Sequence, residues 1–302
     1  MRRAGASVAV VRARRPRALP TMALGDLAYA RNARVAAVKG IEAHAPRAVV
    51  YSSTTAASLW PRPGAIRFDA PSAGNRPGRH GIWQRPVERR RLGQATLLLP
   101  WSEGGLAEAP GRHAGAVVVP VAVERSGGPA AEGLGEGEGD IAAITYAAHP
   151  EKKGLDRVLS AWRAARRADE TLVVVGAHTG SEDGVVCRPL LAPDDYRALL
   201  RRARVYVTAP RREDYGIAQL EALADGCVLV STPAPGPYAA AALARALDAR
   251  TVSDDLATAL RTALDDPIAG YAERASSLLA PYGRTTVDAV VAERVLPALL
   301  SG

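Results

Sequence analysis

Two glutamates carry the sharpest chemical suggestion in the sequence. Glu213 and Glu221 stand eight positions apart in the stretch Arg211-Arg212-Glu213-Asp214-Tyr215-Gly216-Ile217-Ala218-Gln219-Leu220-Glu221-Ala222-Leu223-Ala224-Asp225-Gly226. An apolar run at 205–208 precedes this stretch and another follows at Cys227, so the pattern reads strand, loop, helix, strand. Gly216 falls where the helix begins. A helix start presents unpaired backbone N–H groups and the positive end of the macrodipole. A residue without Cβ leaves room for a phosphate to approach those amides. If the span is helical, the 1.5 Å rise per residue separates the acids by roughly 12 Å. A nucleotide sugar fits such a frame, with its hexose on one carboxylate, its ribose on the other and its diphosphate on the amides between. Ionised acceptors form the stronger hydrogen bonds to hydroxyls. Acids also favour helix starts on dipole grounds, so the spacing alone leaves a purely structural role open.

A second element is Ala147-Ala148-His149-Pro150-Glu151-Lys152-Lys153-Gly154-Leu155-Asp156, placed between an apolar run and an amphipathic stretch. A lysine at a strand-to-helix turn reaches a diphosphate as a compact charge. Only three of the 39 basic residues are lysines, Lys39, Lys152 and Lys153, which makes the adjacent pair conspicuous. A solvated surface pair is the competing reading.

These residues need a scaffold. Short apolar runs at 48–51, 65–68, 96–99, 116–119, 141–146, 171–175, 205–208 and 228–231 predict strands. Stretches at 155–167, 196–203, 217–225 and 256–264 predict helices; in the first, Leu155, Val158, Leu159 and Trp162 recur at helical spacing. Val- and Leu-rich runs without alternation suit strands covered on both faces. Alternation of strand and helix then implies parallel sheets in an α/β fold. Both active turns follow strands, where α/β sheets place their ligands. The apolar run 8–11 reads as a first strand of a cytoplasmic protein, being too short for a signal-peptide core. The Gly-rich segment 125–139 has no periodicity and reads as a linker dividing an N-terminal domain, 1–124, from a C-terminal domain, 140–302. Its glycines do not make a dinucleotide loop, because Glu136 and Glu138 would repel a phosphate.

The net charge of +8 is a weak guide to partners, since 36 arginines in an Ala- and Gly-rich chain match a GC-rich coding bias. Nucleic acid is not expected. The cluster Asn75-Arg76-Pro77-Gly78-Arg79-His80 with Trp83, Arg85, Arg89, Arg90 and Arg91 could grip an acceptor through Arg79 or rest on an anionic membrane face. A solvated helix face is the alternative. Cys187 and Cys227 form no disulfide framework and read as small core residues.

Taken together, the residues resemble the GT-B-fold retaining glycosyltransferases of family four, the glycosyl transferases group 1. Glu213-Asp214-Tyr215-Gly216 and Leu220-Glu221-Ala222-Leu223-Ala224-Asp225-Gly226 stand where that family carries Glu-Gly-Phe-Gly and Leu-Glu-Ala-Met-Ala-Cys-Gly. Pro150-Glu151-Lys152-Lys153-Gly154 is similar to its Pro-Glu-Lys-Gly turn. The resemblance covers most of 116–302. It implies two Rossmann-like domains with parallel sheets facing a central cleft, a nucleotide-diphosphate sugar as donor, transfer with retention, and no metal or other cofactor. It implies that Lys153 binds the donor phosphates, that Gly216 and Ile217 offer them amides, and that Glu213 and Glu221 contact hexose and ribose. Asp214, Tyr215, Lys152 and His149 join the donor-binding set. On the acceptor side it suggests Asp69, near the reaction centre, and Ser102, although Ser102 suits a helix cap equally. The acceptor is a glycan, a lipid-linked sugar or a small molecule.

The chain also departs from that pattern. Ala147, Ala148 and His149 occupy the places of an arginine that usually precedes the phosphate lysine, and an imidazole is only partly charged near neutral pH. The turn Pro233-Ala234-Pro235-Gly236-Pro237-Tyr238 lacks the family's acid. A non-catalytic nucleotide- or glycan-binding relative and a nucleotide-sugar epimerase-like enzyme are therefore the alternative readings.

Overall fold

The structure, a computed structural model, describes residues 1–127, 139–178, 180 and 182–301. Most of the Gly-rich segment, 128–138, lies outside them. The chain divides into two compact units, Ala122–Gly283 and Met1–Val121 with the C-terminal residues from Arg284 onward.

The unit Ala122–Gly283 is built on a five-stranded parallel sheet. Its strands are β4 (Ile141–Tyr146), β5 (Leu172–Val175), β6 (Val185–Arg188), β7 (Ala203–Thr208) and β8 (Val228–Ser231), in the order β6-β5-β4-β7-β8. β5 and β8 are buried along their whole length, and β4 except at its last residue, as unalternating Ile/Val/Leu runs require. The chain leaves β4 toward β5 and β6, then returns to β4's other edge as β7. The β4/β7 boundary is thus the point where strand order reverses, the place at which α/β sheets put their ligands. The helix Leu155–Ala165 covers one face with Leu155, Val158, Leu159, Ala161 and Trp162, all buried. Beside it lies Leu256–Asp265, capped by Asp255, whose side chain accepts from the Thr258 amide at 3.1 Å. The helix Pro193–Arg202 has Pro at its start, acids in its first turn and arginines in its last, all in keeping with the macrodipole.

The other unit has a three-stranded parallel sheet, β1 (Val50–Tyr51), β2 (Ala65–Phe68) and β3 (Leu98–Pro100), in that order. Its core gathers Tyr51, Trp60, Ile66, Phe68, Leu92 and Leu98. Residues 116–119, expected as a strand, run beside β3 through amide bonds from Val117 to the Leu98 carbonyl (2.9 Å) and from Val119 to that of Pro100 (2.8 Å), with a single bridge at Ala116.

Three expectations are corrected. The run 8–11 forms no strand: Val10 is 67% exposed, and Val11 lies over Gly40 of the helix Met22–His44, where the missing Cβ leaves it room. Apolar content was not enough: the run packs on the helix Met22–His44 instead of pairing in the sheet. The second unit begins before the Gly-rich segment. Val123 donates to the Tyr282 carbonyl at 2.9 Å, and Ser126 binds the Asp225 carboxylate through both its amide and its hydroxyl at 2.8 Å. The C-terminal residues belong with the N-terminal unit: Arg3 pairs with Asp288 at 3.1 Å, and Arg47 donates to the Leu300 carbonyl.

Trp162 is fully buried, and its indole N–H donates to the Gly184 carbonyl at 3.1 Å. Trp162→Ala is expected to destabilise this unit by about 3–5 kcal/mol, read as a lower urea midpoint at unchanged slope.

Candidate functional site

The site grows from two loops at the carboxyl ends of β4 and β7. After β4 a single helical turn, Pro150–Lys153, ends at Gly154, which takes a left-handed conformation with φ 64°. A Cβ at Gly154 would stand 1.9 Å from the Ala209 carbonyl oxygen, so only glycine allows this turn to lie on the end of β7. Backbone contacts complete the junction: the Arg211 amide donates to the Lys152 carbonyl at 3.1 Å, and the Arg211 guanidinium to that of Glu151 at 3.2 Å.

This junction brings Lys153 to Glu213. Lys153 Nζ donates to Glu213 Oε2 at 2.6 Å, with the two side chains only 18% and 8% exposed. Taking two charges this far out of water is costly unless hydrogen bonds satisfy what the ion contact leaves over. Gln219 does so in part, its Nε2 donating to the same Oε2 at 3.1 Å. The turn 233–238 packs behind: the Glu213 amide donates to the Pro235 carbonyl at 3.1 Å, and Gly236 lies so close that a Cβ would be 2.4 Å from the Glu213 carbonyl oxygen.

Gly216 heads the helix Ile217–Ala224 with φ 91°, a left-handed conformation, and its would-be Cβ faces Tyr238 and Ala240 at 3.0 and 3.1 Å. The first bond inside the helix is from Leu220 N–H to the Gly216 carbonyl at 2.9 Å, which leaves earlier amides outside the helical ladder. Gly216 itself is buried, whereas Ile217 at the first helical position is 36% exposed.

Glu221, further along that helix, faces a different environment. Its nearest cation is Arg197 at 3.8 Å, and Arg197 is itself engaged by the fully buried Asp225 carboxylate at 2.5 and 2.8 Å. Burial holds the Glu221 carboxyl above the usual carboxylate range; Arg197 opposes the shift, and Asp225 adds to it.

The remaining sequence-derived candidates are placed as follows. Asp214 is buried and pairs with Arg212 at 2.7 Å, with exposed Lys152 standing 3.9 Å away. The Tyr215 ring is buried against Tyr282, so it serves the interior of its unit. His149 is exposed at the start of the Pro150–Lys153 turn, its carbonyl accepting the Lys153 amide. In the other unit Asp69 follows β2, its Oδ1 accepting the Ala70 amide at 2.8 Å. Ser102 caps the short helix Glu103–Ala107, accepting the Gly105 amide at 3.0 Å. Arg79 lies exposed on the turn Gly78–Gly81.

Other members of the expected basic patch serve the fold. Arg91 sits over the Trp60 ring, Arg76 pairs with Asp26, and the Trp83 indole donates to the Ala23 carbonyl. Sequence reasoning missed Gln219, Tyr238, Arg197 and Asp225. The only signal available for Gln219 was its place between the two glutamates. Among the described residues no group of three or more His, Cys, Asp or Glu is placed to hold a metal ion, and no helix is long and apolar enough to cross a membrane.

The fold is that of the GT-B glycosyltransferase structures. Residues 140–266, within the second unit, match the family described as Glycosyl transferases group 1. No curated protein matches the chain at the level of sequence. Among solved structures, α,α-trehalose-6-phosphate synthase from Burkholderia multivorans superposes with a TM-score of 0.65 at 16% identity, covering 92% of this chain and 77% of that one. The trehalose-6-phosphate protein from E. coli bound with UDP-2-fluoro glucose gives 0.66 at 13% identity, covering 92% and 78%. WaaG, a glycosyltransferase involved in lipopolysaccharide biosynthesis, gives 0.61 at 15% identity, covering 92% and 85%.

Gly154→Ala tests how the lysine turn is placed. Left-handed strain and backbone overlap should cost about 2–4 kcal/mol, seen as a lower melting temperature of the unit Ala122–Gly283.

Proposed function

We propose that the protein is a retaining glycosyltransferase that moves a sugar from a nucleotide-diphosphate sugar to a hydroxyl acceptor, a glycan, lipid-linked sugar or small molecule. The observation that carries this reading is Lys153 Nζ, 2.6 Å from Glu213 Oε2, with the helix start at Gly216–Ile217 three residues beyond that acid. On this reading the donor diphosphate lies on the amides of that helix start and on Lys153, the hexose meets Glu213 and the ribose meets Glu221. In the transfer the bond from the anomeric carbon to the diphosphate oxygen breaks, a bond to the acceptor oxygen forms, and the acceptor proton leaves with the diphosphate. Lys153 and the helix dipole stabilise the charge that develops on the leaving group, where preorganised positive groups act most strongly. Glu213 positions the sugar. No metal is needed; Lys152 supplies further positive charge at the rim, and His149 stands beside it as a further donor-binding candidate.

Two of the similar structures support the choice of substrates by what their descriptions name, UDP-2-fluoro glucose in one and glucose-6-phosphate in the other. Asp69, Ser102 and Arg79 remain the acceptor-side candidates. The reading assigns a cytoplasmic protein whose basic N-terminal unit can rest on an anionic membrane surface.

One observation favours a second reading. No arginine stands at 147–149, so one phosphate cation of the pattern is absent there, which suits a relative that binds nucleotide or glycan without turnover.

Thermal-shift screening against nucleoside diphosphates, followed by transfer assays on acceptor panels, separates the two. Ligand binding raises the melting temperature in both cases, and turnover occurs only in the first. Lys153→Ala and Glu213→Ala are each expected to lower transfer by about 10²-fold or more with the fold retained; near-normal turnover in either variant rejects its role.

Glu221 gives a pH signature. Its ionised form accepts the ribose hydroxyls, and its carboxyl titrates above the usual range. Affinity for a nucleoside diphosphate should therefore fall as pH drops, beginning at higher pH than an ordinary glutamate would give. The ratio of wild-type to Glu221→Gln affinity, from calorimetry across neutral to mildly acidic pH, should shrink toward one on the acid side. Titration of the ligand's own phosphate cancels in that ratio.

A further inference from the structure

Glu213 is reached by a buried chain of hydrogen bonds whose direction is set at its far end. Ser231 Oγ, at the end of β8, donates to the Thr232 carbonyl at 2.9 Å. That commits its hydrogen, so in the 3.0 Å contact between Ser231 Oγ and Tyr238 OH the phenol is the donor. Tyr238 OH can then only accept from the next member, and Gln219 Nε2 lies 3.4 Å away. The same Nε2 donates to Glu213 Oε2 at 3.1 Å. Burial keeps the Tyr238 phenol well above its ordinary range, so it remains a neutral hydroxyl.

The side chain of Gln219 is therefore held in one of its two amide orientations. The other would turn its carbonyl toward the Glu213 carboxylate and leave two acceptors facing each other. The orientation has a cost: Gln219 Oε1 is buried without a hydrogen-bond partner and lies on the Gly216 side, 3.4 Å from where a Cβ of Gly216 would be. A native interior rarely leaves such an oxygen unpaired without a reason. Service to Glu213 supplies one.

Resting on the reading of Glu213 as the hexose contact, we propose that Gln219 is a positioning residue that keeps the Glu213 carboxylate in place when Lys153 turns from it to the donor diphosphate. Both Lys153 and Gln219 donate to Oε2, which leaves Oε1 of Glu213 for a hydroxyl of the donor sugar. A diphosphate competes for the lysine, whose ammonium has three donors on a flexible stem. Once the lysine leaves, Gln219 is the fixed donor that still holds the carboxylate. Arriving phosphate then does not loosen the group that must orient the sugar.

The test compares matched ligands, each a nucleoside diphosphate and its sugar: UDP with UDP-glucose, GDP with GDP-mannose, ADP with ADP-glucose. The pair bound most tightly by the wild type is used throughout. Gln219→Leu, which keeps the volume and removes the amide, should leave nucleoside diphosphate affinity within about twofold. It should lower the preference for the sugar-bearing ligand about tenfold and kcat about 10- to 100-fold. Tyr238→Phe should move the same quantities in the same direction by less.

Gln219→Glu sets a second carboxyl against Glu213, whose titratable neighbours include Lys153, Tyr206 and Tyr238. Two carboxylates in contact do not both stay ionised, so this variant should recover activity toward acid pH. A merely structural glutamine would give no such pH shift. A Gln219→Leu protein that keeps the wild-type sugar preference and kcat, or a Gln219→Glu protein with an unmoved pH profile, overturns this inference alone. A wild type that binds neither member of any pair overturns it together with the proposed function.

Discussion

The contact between Lys153 and Glu213 is where the two loops of the site become one surface. It joins residues 60 positions apart in sequence at 2.6 Å, in surroundings that expose less than a fifth of either side chain. A dry ion pair is a poor source of net stability, because desolvation offsets most of the attraction. Its value here is geometric. Each partner fixes the other, and the pair has no net charge until a ligand arrives. Arginine in the same place would hold the carboxylate through a rigid two-pronged fork. A lysine ammonium is a point charge with rotatable donors and can change partners with a small movement of its stem. Under the proposed function this is the property required of a group that must meet a diphosphate.

That contact is placed by the backbone. β4 and β7 are adjacent, with Ile141 beside Ala203 and Ile144 beside Tyr206, so the loops at their carboxyl ends are neighbours by topology. The bonds from Arg211 to the carbonyls of Lys152 and Glu151 then fix the separation, and the close approach of Gly154 to Ala209 fixes the tilt. Both side chains extend from main chain that is already tied together, so little conformational freedom is lost when they meet. The place of the site at the sheet's carboxyl edge follows from the reversal of strand order around β4, all strands running parallel.

How much of this could be read from residue types follows from what each element depends on. The strands at 141–146 and 228–231 were legible because burial on both faces demands unbroken apolar runs, which are visible in one dimension. The run 8–11 is similarly apolar yet pairs with no strand, and composition carries no information about pairing partners. β6 alternates intermediate and exposed residues, and its one neighbour is β5, so its signal was too weak to separate from loop. In the site, Glu213 and Lys153 announced themselves by charge and by position after strands. Gln219 and Tyr238 did not. A glutamine inside a helix and a tyrosine after a proline-rich turn have no pattern of their own, and their meaning depends on a partner that only the tertiary fold supplies. Ser102 illustrates the converse. Its position before a helix was read both as a cleft residue and as a cap, and the bond from the Gly105 amide shows the cap in place.

The two glutamates share one motif and sit in unlike electrostatic settings. Glu213 has a cation in contact and an amide donor beside it. Glu221 has an arginine at 3.8 Å whose main engagement is with Asp225, and that aspartate is tied further by Ser126. Asp225 therefore takes the strong, two-pronged interaction, and only the remaining guanidinium nitrogen faces Glu221. This incomplete neutralisation explains why burial prevails at Glu221 and lifts its carboxyl. It also explains what the arrangement is suited to. An acid with its cation in contact has a fixed orientation, whereas one left partly unsatisfied retains the capacity to accept new donors. Under the proposed function, sugar hydroxyls would meet at Glu213 an acid already held in one orientation, and ribose hydroxyls would meet at Glu221 an acid with capacity left to accept them.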